Sequence, residues 1–539
     1  MESKRAIIAI ALSFVVLVGW SYLADHMGWN DQPAPQVQQE GTAPSASQAA
    51  PQSASQAAAP APRAETPVFL PSAGREVTVV TPLYKAVLHS GGGVLKHFSL
   101  TRYRTAITAG APAVDMVDTA STVMSPLGLL INGQPSWNTG QWSFDGGDLS
   151  LGAGQSGVLT FTGEVDGVRV VRELTFSADT YLISEKVRLA PLADARTVRL
   201  GFTVGTGNLS PNGGQYDHTR VAWLHDGSFS EKTSASDLEK GVLETGALSW
   251  GAVMSNYFLV AAAPVDTTGV TLKGKLQESV YRVAMERGDV SIPAGGETTV
   301  ACNYWFGPKD RGLLKEAPNQ LAEAINLGWF SIIARPLVDM LEFFHKYVGN
   351  YGVAIILLTV VIKLVFWPLS HKSYKSMEQM KKLQPMLQKL REKHGDDREK
   401  MNEEMMRLYK TYKVNPAGGC LPMLVQIPVF FGLYQALLNA IELRHASFIT
   451  HLPFTDMVWL ADLSAKDPYY ITPIVMGATM LLQQKLTPAP GDPTQAKIMM
   501  FMPVVFTFMF LSFPSGLVVY WLCNNVLSIA QQWWMLRKA

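Results

Sequence analysis

Four rhythms of hydrophobic and polar residues follow one another along the chain. Residues 6–24 (AIIAIALSFVVLVGWSYLA) form an apolar run with no charge and no proline. As a helix it is about 28 Å long, close to the hydrocarbon thickness of a bilayer. Residues 25–67 are a linker, almost wholly Ala, Pro, Gln and Ser from position 32 onward. Such a composition cannot bury enough apolar surface to offset its conformational entropy, so it predicts a disordered tether. From 68 to 315 the rhythm becomes period two, as in VTVV (77–80), VLTFTGEV (158–165), VRVVRELTF (168–176), LISEKVRL (182–189), TVRLGFTV (197–204), VTLKGKL (270–276) and VYRVAMER (280–287). Gly, Asn and Asp clusters such as Asp145-Gly-Gly-Asp148 and Asn212-Gly-Gly214 separate the runs. Alternation with frequent turns predicts a large antiparallel β-sandwich domain.

Beyond 315 the pattern turns helical. Residues 316–347 are rich in aromatic and aliphatic side chains, but Arg335, Asp339, Glu342, His345 and Lys346 interrupt them. This predicts either an amphipathic helix lying at a membrane surface or a helix capping the β domain. Long apolar segments follow at 351–369, 419–441 and 469–486, and a last one at 498–534 is split by Phe513-Pro-Ser-Gly516 into 498–512 and 516–534. With the first run this makes a polytopic α-helical membrane protein of six transmembrane helices, carrying a large β-sandwich domain between the first and second. A cleaved signal peptide is the alternative for the first run, but Tyr22 occupies the −3 position for a cut after Ala24, where a small residue is wanted.

Composition agrees. Of 539 residues 47% are hydrophobic and 17% charged, against about 25% charged in soluble domains. The formal net charge of +1 argues against a dedicated nucleic-acid binder, so no specific DNA partner is expected. Cys302, Cys420 and Cys523 are far apart in sequence, so there is no CxxC and no zinc spacing. No cofactor or metal is expected. The β domain carries no GxSxG, HExxH or paired-acid signature, and His89, His97, His218 and His225 are scattered. The domain reads as a binding or spacing module.

Charge sets the orientation. Between His371 and Lys413 lie twelve Lys or Arg residues, whereas the segment 442–468 has Arg444 and Lys466 alone. The positive-inside rule puts 371–413 in the cytoplasm and 442–468 outside. Lys4, Arg5, Arg537 and Lys538 then place both termini in the cytoplasm and the β domain outside. The basic loop 371–413 reads as a helical hairpin. Met377, Met380, Leu383, Met386/Leu387 and Leu390 recur at helical spacing, as do Met401, Met405, Leu408 and Tyr412. Gly395 suits a helix end and Asp396 or Asp397 an N-cap. Pro385 should kink the first helix. This loop is either a solvated positive face or a docking arm for a ribosome or targeting factor, with Lys381, Lys382, Asp396 and Arg398 as its contact residues.

Lys363 is the lone charge inside 351–369, about 18 Å along that helix from Tyr351. A buried ammonium is costly unless hydrated or paired. Pro368 is near, so snorkelling toward the cytoplasmic headgroups is one solution. The other segments offer no mid-membrane acid, but they do offer neutral polarity. Trp521, Asn524, Asn525 and Ser528 share one helical face, Thr359 precedes Lys363 by one turn, and 419–441 carries Gln426, Gln435 and Asn439. Lysine facing amides and hydroxyls predicts a wet, positive cavity. A secondary transporter or channel is the alternative function; it would call for carboxylate relays or inverted repeats, and neither is found.

Asn415-Pro-Ala-Gly-Gly-Cys-Leu-Pro422, Gln426-Ile-Pro-Val-Phe, Asp467-Pro-Tyr-Tyr470, Phe501-Met-Pro-Val and Phe513-Pro-Ser-Gly-Leu-Val-Val-Tyr520 resemble the YidC/Oxa/Alb family of membrane-protein insertases. The resemblance covers the whole chain and is most specific in the membrane half. It implies a five-helix insertase core over 348–536, with a hydrophilic groove open to the cytoplasm and to lipid, and a periplasmic β-supersandwich. It implies nascent membrane-protein clients, chaperone activity without bond chemistry, and cooperation with the Sec translocon and its accessory subunits. The ribosome and the signal recognition particle receptor would dock at the cytoplasmic loops. Lys363 matches a groove position that is usually arginine, and Thr359 a substrate-contact position. Trp521 stands where relatives often carry Tyr. The groove set is thus Lys363, Thr359, Gln426, Trp521, Asn524, Asn525 and Ser528.

Overall fold

The computed structural model describes residues 74–117, 126–210, 216–394, 397–412, 414, 421–486 and 493–538. The expected anchor 1–24, the linker 25–67, Gly395, Asp396 and positions 415–420 of the Asn415–Pro422 motif lie outside them.

All seven alternating runs are strands. Among the described residues twenty strands form sheets of five, nine and six. The nine-stranded sheet runs Ser228–Lys232, Arg220–His225, Leu248–Met254, Phe258–Pro264, Thr298–Pro308, Leu182–Pro191, Val168–Ser177, Ser156–Val165, Gln141–Ser143. The six-stranded sheet runs Val242–Gly246, Val270–Gln277, Val280–Ile292, Arg196–Thr206, Gly128–Ile131, Gln134–Pro135. One hydrophobic core joins all three sheets. Register follows the turns. Val165 faces Val168 across Asp166-Gly167, both at positive φ (49° and 70°), the two-residue turn whose twist suits a hairpin. Asn132-Gly133 and Asp226-Gly227 repeat the device.

Two strands escape the period-two rule. Leu248–Met254 and Phe258–Pro264 are buried almost throughout, because layers cover both faces and no polar alternation is needed. Conversely, in Val168–Ser177 the inward position between Val170 and Leu174 is Arg172, fully buried. Its Nε donates to Glu185 Oε1 at 2.5 Å, its Nη2 to Leu127 O at 2.8 Å and its Nη1 to Gly92 O, while Tyr304 OH donates to Glu185 Oε2 at 2.8 Å. A buried charge pair is tolerated when its donors and acceptors are met in this way.

Two short helices sit within the β domain, α1 (Ser136–Thr139) and α2 (Ala235–Lys240), and α3 (Arg311–Glu316) follows its last strand. The rest are α4 (Ser331–Val348), α5 (Tyr351–Val365), α6 (Trp367–His394), α7 (Arg398–Thr411), α8 (Leu421–Asn439), α9 (Ile471–Leu486), α10 (Pro493–Phe510) and α11 (Ser515–Lys538).

Two expectations need correction. Residues 316–347 are not one helix: two 3₁₀ turns, Leu321–Ala324 and Gly328–Phe330, precede α4. Helix α4 bridges the helical half and the β domain. Leu337 and Leu341 pack into the core of the helical half, Asp339 pairs with Arg311 beside the β domain, and Trp329, Ile332 and Tyr347 stay exposed. The segment 351–369 is likewise broken. Helix α5 stops at Val365 and α6 leaves it at 63°, since Pro368 has no N–H for Leu364 O and its ring crowds that carbonyl. Pro385 lies inside α6, as expected, and the helix runs on past it to His394. No single helix among the described residues is long and apolar enough to cross a membrane by itself; the bent pair α5–α6 is long and apolar enough together.

The hairpin α6–α7 closes as its pattern predicts. Leu383 and Leu387 pack with Val414, Met405 and Leu408. Asp397 caps α7, accepting from Lys400 N at 3.1 Å. Met386 and Tyr412 are exposed instead.

Candidate functional site

The site sits where α5 and α11 run side by side. Their alignment is set at one shared rim by the loop 440–470. Asn350 caps α5, accepting from Val353 N, and its Nδ2 donates to Phe448 O at 3.0 Å. At the start of α11, Ser515 N donates to Ala465 O at 2.7 Å and Gly516 N to Leu463 O at 2.9 Å. Phe513-Pro-Ser-Gly is therefore a junction whose orphan helix N–H groups find acceptors in the loop. Asp467, in its own motif, is buried and accepts from Trp459 Nε1 (3.0 Å), Thr472 N and Thr472 Oγ1 (both 2.7 Å), which fixes the loop against α9.

From this shared rim Lys363 lies twelve residues along α5 and Ser528 thirteen along α11, about 18 and 20 Å. They meet: Lys363 Nζ donates to Ser528 Oγ at 2.6 Å, and Ser528 Oγ donates to Asn524 O at 2.7 Å. Lys363 is 9% exposed. Thr359, fully buried one turn earlier, donates to Ile355 O at 2.7 Å and shares a hydrogen bond with Cys523. Cys523, a residue the sequence reading left out, thus belongs to the seat; its place at i−5 from Ser528 carried no signal of its own. The ammonium has three donors and, among the described residues, one protein hydrogen bond and no ion pair. Because α5 ends at Val365, Lys363 occupies its last turn, where the helix dipole favours a cation. It is nearer a helix end than an unbroken 351–369 span would place it, and it turns to α11 rather than to the surface.

The remaining candidates spread out. Asn525 is buried against α9, its Nδ2 donating to Thr479 Oγ1 at 3.3 Å. Trp521 packs among Phe430, Phe506 and Phe510, with centroids 4.8 to 6.0 Å apart, so it serves an aromatic core. Gln426 is half-buried on α8 and shares no hydrogen bond with Lys363. The face 521-524-525-528 is wide enough to serve three neighbours, which is why one helical stripe did not become one lining. On the hairpin, Lys381 and Lys382 are exposed and Lys382 pairs with Glu378 at 2.6 Å. Arg398 opens α7.

The β domain is seated on this half. Ile441, just past α8, is buried in the domain's own core. Arg444 Nη2 donates to Arg104 O at 2.8 Å, and its guanidinium lies over the Phe258 ring at 5.1 Å. Tyr216 reaches down to Phe513, with ring centroids 4.7 Å apart.

Comparison with known proteins gives the family. The model described as "60Kd inner membrane protein" matches residues 343–539, and that of the "YidC periplasmic domain" matches 76–340. A protein of Nitratidesulfovibrio vulgaris (strain DSM 19637 / Miyazaki F) named "Membrane protein insertase YidC" is 99% identical over 539 residues, all of both chains. One of strain DP4 bearing the same name is 69% identical over 540 residues, again all of both. A solved structure titled "Active YidC insertase crystal structure with the first transmembrane domain resolved" aligns with 86% of this chain and 93% of its own, at 19% identity and a TM-score of 0.36. Through its periplasmic-domain match, its inner-membrane-protein match and full-length identity to these relatives, the chain belongs to the YidC family of membrane protein insertases.

Proposed function

We propose that this inner-membrane protein inserts nascent membrane proteins by offering their hydrophilic segments the polar, cationic seat between α5 and α11. The observation that carries the reading is Lys363: a nearly buried ammonium with, among the described residues, one hydroxyl partner and no acid. Its unused donors suit a client carboxylate, a client carbonyl or water, each of which lowers the cost of taking a polar segment out of bulk water. Helices α5, α9, α10 and α8 have 15, 16, 18 and 19 residues, about 22 to 28 Å against roughly 30 Å of hydrocarbon. Short helices favour a locally thinned bilayer and a shorter path. The client's apolar helix then partitions sideways into lipid. No bond is made or broken.

The charge count supports six spans with both termini cytoplasmic and the β domain periplasmic. The basic hairpin α6–α7, with Lys381 and Lys382 exposed, supports docking of the ribosome and the signal recognition particle receptor, for which Asp396 and Arg398 are further candidates by sequence. Cooperation with the Sec translocon is part of the same reading, on family grounds. The test is reconstitution of the purified chain in liposomes with one small single-spanning client, together with thiol labelling. A cysteine at Ser236 should react from the periplasmic side of spheroplasts, and one at Asp396 only after the membrane is opened. Labelling at Asp396 in intact spheroplasts, or no insertion by the pure protein, would refute the proposal.

A further inference from the structure

A cavity of about 230 Å³ lies between the β domain and the end of α8 nearest that domain. It falls below the ~300–1,000 Å³ of pockets for drug-sized ligands and suits a small polar group. Gln435 and Asn439 of α8 line one side, Arg220 and Glu231 of the β domain another, and Asn326 and Gly328 a third.

Its polar atoms are unevenly used. Arg220 is 9% exposed. Its Nη1 donates to His218 O and Asn256 Oδ1, both at 3.1 Å, and its Nε is 2.7 Å from Glu231 Oε2. Its Nη2 has no acceptor among the described residues. Gln435 Oε1 accepts from Asn439 Nδ2 at 3.3 Å, and Asn326 Oδ1 from Gly328 N at 2.9 Å. The amide nitrogens of Gln435 and Asn326 have no acceptor among the described residues either. Glu231 Oε1 is likewise without a donor there. Three NH₂ nitrogens and one carboxylate oxygen therefore lack a protein partner among the described residues, with Arg220 buried, Gln435 half-buried and Asn326 and Glu231 open to solvent; together they suit a guest that is anionic at one end and carries N–H donors at the other. Next to Gly328, Trp329 is 98% exposed, and Ile332 is 86% exposed. Exposed Trp beside a polar cavity is the arrangement of a headgroup-level membrane interface.

We propose that this cavity binds the phosphoethanolamine headgroup of an outer-leaflet phospholipid. The phosphate sits on Arg220, Gln435 and Asn326, the primary ammonium on Glu231, and the acyl chains run past Trp329 and Ile332. The leaflet assignment rests on the topology proposed above. Choline offers Glu231 no N–H, and a phosphatidylglycerol headgroup offers it no cation, so ethanolamine is selected.

The test is native mass spectrometry of the full chain in detergent micelles, titrated with dihexanoyl phosphatidylethanolamine, the matching phosphatidylcholine and phosphatidylglycerol, and soluble glycerophosphoethanolamine. One saturable ethanolamine-lipid site is expected, at least tenfold tighter than for the other three. Arg220→Gln should weaken it tenfold or more. Gln435→Leu, on the helix side and outside the β fold, should do the same should Arg220→Gln prove unstable. Glu231→Gln should abolish the preference for ethanolamine over choline. Equal binding of the three lipids, equal binding of the soluble headgroup, or affinity unchanged in both Arg220→Gln and Gln435→Leu would overturn the proposal. Micelles have no sidedness, so this outcome is independent of the labelling result that tests topology.

Discussion

Replacing Lys363 by alanine separates a working cation from one that merely fills space. In the protein as built, the ammonium is held at 2.6 Å from Ser528 Oγ with donors to spare. A client carboxylate brought within about 4 Å would gain about 1 kcal/mol in water-like surroundings and about 4 kcal/mol at the effective dielectric of a protein site. Each 1.4 kcal/mol is tenfold in rate, so Lys363→Ala should slow insertion of an acidic client by about fivefold to several hundredfold. The assay is protease protection of a single-spanning client in proteoliposomes. Two clients are compared, one with aspartate in the translocated segment and one with asparagine there. The loss should be confined to the first. Lys363→Arg should retain activity, since the charge persists, although the ammonium's geometry does not. Lys363→Glu should fail with both clients, because it buries an anion and repels the acidic one. If Lys363→Ala leaves both clients unaffected while the protein remains folded, the cation has no role in transfer and the proposed mechanism falls.

Arg172→Met alone should destabilise the β domain by about 3–5 kcal/mol, because it leaves the fully buried Glu185 without its cation; thermal unfolding of the full chain should show Arg172→Met/Glu185→Leu recovering most of that loss. Burial, followed by repulsion from Arg220 and opposed by Glu231 and Asp217, pushes Lys309 down to about 7. Between that value and its unfolded value near 10.4 the unfolded chain binds the extra proton, so stability from this group rises with pH across that window and its penalty is complete below about pH 7. Lys309→Met should therefore raise Tm most at pH 6 and progressively less toward pH 10. Gly477 packs directly on Thr507 of α10, so Gly477→Val should force α9 and α10 apart at about 1–3 kcal/mol, read as a lower Tm in detergent.

The sequence by itself determined the elements and their sidedness of burial. Period two marked strands wherever one face met solvent, and Asp-Gly and Asn-Gly pairs fixed hairpin registers. Helical spacing of Met and Leu fixed which faces of α6 and α7 meet. It also singled out Lys363, because an isolated charge in an apolar run is visible without a structure. Strands buried on both faces, such as Phe258–Pro264, carry no alternation and were invisible. Tertiary structure decided what the polar residues touch. A helical face spans three neighbours, so Ser528 went to Lys363, Asn525 to Thr479 and Trp521 to an aromatic core. The position of Lys363 was also settled there, by the break after Val365 and by the loop 440–470 that starts α5 and α11 from one rim. Sequence spacing measures distance along a single helix; which residues stand at equal height on two helices depends on where each begins, and that is set by hydrogen bonds between residues more than fifty positions apart.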